Sequence, residues 1–243
     1  LVIEKKGEVL DAYKGGLFAD SEDKEFVYRE GSLTGAKFEI YAAEDIYTAD
    51  MQTDENGNRN KYYAEGDLVA TVVTGEDGKA KVSDLPLGKY RVVEVEAPYG
   101  YVLNKEEQYV TFVYVDDKTP VIRESLTFAN DRQKVDLSVA KLDGETGLPV
   151  SGAEFGLYAA EDIVNVDGKV IVEKDTLLEV AVSDANGDIQ FVKDYPLGHY
   201  YAKEIKAPAG YVSCDDVIEF DAEYQGQEVK YSTIIATFHN MPT

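Results

Sequence analysis

The chain of 243 residues is 44% hydrophobic and rich in Tyr and Val, the composition of a folded protein long enough for one large core or two ordinary ones. Its 47 acids against 24 Lys and Arg give a formal charge of −23, which argues against nucleic acid and anionic membrane surfaces as partners. Cys214 is the single cysteine, so no intrachain disulfide can form, and no apolar run is long enough to span a bilayer.

The first expected strand, residues 1–6, alternates so that Leu1, Ile3 and Lys5 share one face. Residues 7–34 follow as an insert carrying Tyr13, Phe18, Phe26 and Tyr28 among charges, read as an extended surface loop or an added hairpin. The next strand lies in GAKFEIYAAEDI (35–46), and Glu76-Asp77-Gly78 marks a turn. In YRVVEVEAPYGY (90–101), Tyr90, Val92 and Glu94 share a face before the strand breaks at Ala-Pro-x-Gly-Tyr. The closing strand puts Leu126, Phe128 and Asn130 on one face.

Every one of these elements except the insert then recurs in the same order. VDLSVAK aligns Val135, Leu137, Val139 and Lys141; GAEFGLYAAEDI (152–163) repeats the second strand; Asp184-Ala185-Asn186-Gly187 repeats the turn. YYAKEIKAPAGY (200–211) aligns Tyr200, Ala202 and Glu204, and the last strand aligns Ile234, Ala236, Phe238 and Asn240. This is a tandem duplication joined near Asp131–Lys134, with expected domains at 1–133 and 134–243. Short Val/Tyr/Thr-rich runs between turns, with no sustained helical period, predict an all-β protein of two β-sandwiches.

Each unit thus directs one Lys, one Glu and one Asn inward: Lys5, Glu94 and Asn130, then Lys141, Glu204 and Asn240. Taken singly, a strand-end Lys snorkels, an Asn caps a turn and a core Glu finds a hydrogen bond. Taken together and in duplicate, they bury a charge pair and an amide at a cost of several kcal/mol. Chemistry offers the compensation. Burial favours a neutral acid beside a neutral amine, the amine is a nucleophile, and the carboxamide is its electrophile. A protonated carboxyl can polarise the amide and pass a proton to departing ammonia, leaving a Lys–Asn isopeptide bond.

The spacing Tyr-x-x-x-Glu-x-x-Ala-Pro-x-Gly-Tyr resembles the E-box of Gram-positive surface proteins. With the early Lys, the Gly-Ala-x-Phe strand and the terminal Phe-x-Asn, nearly the whole chain resembles tandem collagen-adhesin B-type (SpaA-type) domains of pilins and adhesins. The resemblance implies prealbumin-like (Ig-like reverse) β-sandwiches. It implies self-made crosslinks Lys5–Asn130 and Lys141–Asn240, promoted by Glu94 and Glu204 in a single turnover. It further implies a stalk segment of a cell-wall-anchored extracellular protein, with neighbouring domains of that protein as partners and no membrane insertion of its own. With the long insert, Lys6, Lys14 and Lys24 also stand near the start, and Lys24 stands as far from its Gly-Ala as Lys141 from its own. Lys5 is preferred because its strand supplies the inward row, whereas Lys24 sits in a charged cluster.

Leu1 opens no signal peptide and Thr243 ends no anchor sequence, so the chain is read as a piece of a longer protein. Asp54-x-Asn56-x-Asn58 imitates a calcium loop, but Arg59 stands where the sharp turn needs Gly. His199 and His239 fall in different motifs, and no residue cluster calls for a metal or another cofactor. A pilin-type lysine motif is absent, which argues against this segment supplying a sortase polymerisation site. A second reading is a binding module recognising a host protein or glycan through the insert or the Tyr-rich stretch 47–63; exposed aromatic side chains on the insert would favour it. An enzyme acting on external substrates would need an open pocket with convergent polar groups.

Overall fold

The computed structural model describes residues 1–15, 23–119 and 121–243, so Phe18 of the insert lies outside the described residues. Among them there are nineteen β-strands and no α-helix. They form two compact units, each built mainly from one sequence repeat. Unit 1 comprises Leu1–Glu8, Glu30–Arg132 and Gly226–Glu228; unit 2 comprises Val9–Arg29, Gln133–Gln225 and Val229–Thr243.

In unit 1, β1 (Val2–Lys14) lies beside β10 (Ser125–Asn130) in parallel, and β2 (Glu25–Ser32) and β7 (Lys79–Lys81) also pair with β1. The facing sheet has the order β6 (Leu68–Val73), β3 (Lys37–Ala42), β8 (Gly88–Glu96), β9 (Glu107–Phe112). Unit 2 repeats the plan. Its first sheet runs β16 (Asp188–Phe191), β11 (Lys134–Asp143), β19 (Tyr231–Asn240), with β11 and β19 parallel. Its second sheet runs β15 (Leu177–Val182), β12 (Glu154–Ala159), β17 (Gly198–Lys206), β18 (Val217–Ala222). Short hairpins β4 (Ile46–Tyr47) with β5 (Lys61–Tyr63), and β13 (Ile163–Val164) with β14 (Val170–Val172), lie off the main sheets.

The period-two alternation decides which side chains fill each core. Along β8, Tyr90, Val92 and Glu94 are buried while Arg91 and Val93 are less so; along β11, Leu137, Val139 and Lys141 are buried. Ring pairs cross the two cores at matching places, Phe38 with Phe128 and Phe155 with Phe238, each at 4.9 Å between centroids.

The first strand runs further than its opening residues indicate. β1 continues through Lys14 and returns as β2, so the insert is a hairpin among its described residues. Its distal part, residues 9–29, is integral to unit 2. Phe26 is buried in that unit's hydrophobic cluster, with Leu10, Tyr13 and Tyr28 half-buried around it. These aromatics are therefore taken up by a core rather than presented to solvent.

Candidate functional site

The parallel pairing of first and last strands positions the two crosslinking candidates in each unit. In unit 1, Lys5 pairs with Phe128, and Asn130 lies two residues further along the same face. In unit 2, Lys141 pairs with Phe238, and Asn240 again lies two further on. Such diagonal neighbours are within reach of a long side chain. The Glu comes from the other sheet, where Glu94 pairs with Phe38 and Glu204 with Phe155, each at an irregularity in register.

In unit 1 all three side chains are buried together. Lys5 Nζ is 3.1 Å from Glu94 Oε1, and Asn130 Nδ2 donates to the same oxygen at 3.2 Å. The amine sits over the rings of Phe38 and Phe128, 5.7 and 5.8 Å from their centroids. Unit 2 differs in detail. Asn240 Nδ2 donates to Glu204 Oε2 at 2.9 Å and to the Val212 carbonyl at 2.5 Å, while Lys141 Nζ donates to the Leu142 carbonyl at 3.2 Å. Glu204 is only half-buried, in contrast to Glu94. Desolvation holds both amines below the ordinary lysine range, opposed in unit 1 by Glu94 and in unit 2 by Glu204 and Asp143. Both Asn Oδ1 atoms are buried without a hydrogen-bond partner, so each carboxamide carbonyl is an unmet acceptor.

Backbone donors that the sequence did not single out fix each Glu. Asn104 N donates to Glu94 Oε2 at 2.9 Å, and Cys214 N to Glu204 Oε2 at 3.1 Å; both residues stand ten positions after their Glu. The Ala-Pro-x-Gly-Tyr motif explains that regularity. Tyr101 N bonds the Pro98 carbonyl and Tyr211 N the Pro208 carbonyl, with Gly100 and Gly210 at φ near +88° where a side chain is disfavoured. The turned chain then pairs with the residues just past each Asn: Val102 N bonds the Asp131 carbonyl and Val212 N the Met241 carbonyl. The motif thus clamps the Asn and delivers an N–H to the Glu. The common spacing from Glu was the available signal.

The other lysines near the start lie elsewhere. Lys6 pairs with exposed Glu30, and the Lys24 carbonyl accepts from Lys193 Nζ within unit 2. Asp54, first residue of the imitation calcium loop, spends its carboxylate on Asn56 N and Asn58 N of its own turn.

The profile of the SpaA prealbumin-like fold domain matches residues 27–124 and again 135–234, more than half of the chain. The chain belongs to the SpaA domain family. Over 75 residues it is 33% identical to the trypsin-resistant surface T6 protein of Streptococcus pyogenes serotype M6, a match spanning 30% of this chain and 14% of that protein. The whole chain aligns with 33% of the Bacillus anthracis TIE protein at 25% identity and a TM-score of 0.59. It also aligns with 62% of a streptococcal ancillary pilin, at 22% identity and a TM-score of 0.32. The chain spans a third or less of the T6 and TIE proteins. In these two SpaA domains Lys, Glu and Asn occupy corresponding strands; all three are buried together in unit 1, whereas in unit 2 Lys141 and Asn240 are buried beside a half-buried Glu204.

Proposed function

We propose that the chain is a structural stalk segment of a Gram-positive, cell-wall-anchored extracellular protein, each domain stapled by its own Lys–Asn isopeptide bond. The observation that carries this reading is the recurrence of a Lys/Glu/Asn triplet, its Lys and Asn buried, on first strand, facing sheet and last strand in both repeats. The T6 relative, a trypsin-resistant surface protein, supports the same reading for this chain.

The chemistry follows from the atoms. Desolvation favours the neutral form of the Lys amine, which attacks Asn Cγ. A new Nζ–Cγ bond forms, the Cγ–Nδ2 bond breaks, and Nδ2 leaves as ammonia. The Glu carboxyl meets Nδ2 in both sites and relays the proton from Nζ to that leaving nitrogen. No external substrate enters, and each site turns over once. By analogy with disulfides, closing a loop of roughly 100 residues stabilises by about 4–5 kcal/mol through the unfolded state. The staple joins adjacent parallel strands, so tension entering along one leaves along the other without peeling the sheet.

Intact-mass measurement under denaturing conditions tests the proposal. The expected mass is that of the sequence less two ammonia molecules, with tandem fragmentation linking Lys5 to Asn130 and Lys141 to Asn240. The full sequence mass would remove the crosslinking claim, and a Lys24 linkage would reassign the first site.

A further inference from the structure

The two repeats differ in what covers one shared surface. In unit 2, described residues of the insert lie on it: Val166 N bonds the Leu10 carbonyl at 2.9 Å, and Asn165 Nδ2 the Asp11 carbonyl at 2.9 Å. On the other side Tyr28 Oη donates to the Asp194 carbonyl at 2.9 Å, and Phe26 meets Tyr195 at 6.0 Å between rings. The repeat register makes Asn165 and Val166 equivalent to Thr48 and Ala49, and Asp194 and Tyr195 equivalent to Asp84 and Leu85.

In unit 1 those four positions line two adjoining grooves of about 670 and 630 Å³, which share Asp84, Leu85 and Leu87. Among the described residues of unit 1, nothing fills them. Leu87, Tyr114 and Val121 around one, and Met51 and Tyr62 around the other, are each at least half exposed. Open grooves of mixed lining that leave these large apolar side chains exposed are candidate interaction sites. Where unit 2 has the bulky Tyr195, unit 1 has Leu85, which leaves more room for an incoming ring. Lys81, Arg123 and Arg59 line the grooves together with Asp84 and Glu124, and the hairpin sequence that closes unit 2 has more acids than bases. Arg59 is stacked on Tyr47, its guanidinium 4.5 Å from the ring centroid.

We propose that these grooves are the docking site for an aromatic β-hairpin of the kind formed by residues 9–29, presented by another SpaA-type domain. One domain's first-strand hairpin would thereby complete the core edge of the next, with a pair of aromatic side chains as the anchor. The inference rests on the repeat and the family, not on the crosslinking chemistry, so either can fail alone.

The test uses the full chain labelled at Leu and Val methyl groups and titrated with an end-to-end cyclised peptide of residues 8–30, cyclisation limiting the ordering cost. Saturable shifts at Val82, Leu85, Leu87 and Val121 are expected. They should weaken at least about tenfold, equivalent to about 1.4 kcal/mol, with Leu87→Asp or with a peptide carrying Phe26→Ala and Tyr28→Ala. Because Leu87 is half exposed, Leu87→Asp should leave the fold intact, and Tyr114→Ser provides a second exposed variant. No shift at these methyls with millimolar peptide would overturn the proposal. So would shifts confined to residues around Tyr195, which would report only exchange with the hairpin of unit 2, or equal binding by the doubly substituted peptide.

Discussion

Lys5 Nζ stands 3.1 Å from Glu94 Oε1, with neither side chain accessible to solvent. A buried pair of this kind is a poor stabiliser, because desolvation offsets most of its attraction, but removing one partner strands the other. Lys5→Met should abolish the unit 1 crosslink and destabilise the unit by about 3–5 kcal/mol beyond the lost staple. The double variant Lys5→Met/Glu94→Leu should recover most of that penalty while still showing one ammonia too many by mass. Recovery of the crosslinked mass in either variant would show that Lys5 is not the nucleophile.

Glu204→Gln separates chemistry from packing, since the amide keeps the shape and hydrogen bonds of the carboxyl but relays no proton. Unit 2 is expected to fold with Asn240 still bonded at this position, while the Lys141–Asn240 bond forms far more slowly or not at all. The uncrosslinked form should melt lower and be cut faster by protease near β19. Crosslinking at the wild-type rate would reduce both Glu94 and Glu204 to core hydrogen-bonding groups.

Gly187→Ala probes how the turn holds the reactive strand. Gly187 lies at φ 77°, its carbonyl accepts from Lys141 N at 2.7 Å, and an added Cβ would meet the Lys141 carbonyl oxygen at 2.4 Å. The left-handed backbone alone costs about 1–2 kcal/mol, and the clash displaces β11 from β16. Lower denaturation midpoints and slower ammonia loss are both expected in this variant. A wild-type rate would mean that strand position does not limit the reaction.

Asp143 gives unit 2 an acid-sensitive element. Its carboxyl is drawn down to about 2, first by the Thr146 N–H and then by the Tyr211 hydroxyl. The folded carboxyl therefore holds its proton less tightly than the unfolded one, whose ordinary value is 3.8. Its stabilisation is fully present above that value and is lost as pH falls through about 2. Asp143→Ala should melt lower than wild type at pH 7, and the gap should close between about pH 4 and pH 2. A gap that stays constant over this window would assign the loss to packing.

Phe26→Ala tests whether the hairpin is part of unit 2. Truncating a buried Phe costs about 3–5 kcal/mol. Hydrogen exchange in β16 and β17 of unit 2 should speed accordingly, with β8 of unit 1 unaffected. Acceleration in β8 instead would place the side chain in the wrong core.

The sequence alone determined the sandwich strands and the inward rows, because a period of two is a local property and the duplicated pattern states it twice. It also placed Lys, Glu and Asn on core faces, since each continues a row of apolar neighbours such as Tyr90 and Val92 or Leu137 and Val139. Only the tertiary structure decided which elements meet. The aromatics Tyr13, Phe26 and Tyr28 among charges suit a loop or a hairpin without naming the core that receives them, and burial assigned them to unit 2. Likewise residues 226–228 joined unit 1, where the Gln227 side chain accepts from Ala97 N at 2.8 Å. The N–H groups of Asn104 and Cys214, and the deeper burial of Glu94 than of Glu204, depend on how a turn folds back over the opposite sheet. Periodicity reports the face of a strand, whereas partnership across a core is fixed by packing between residues far apart in the chain.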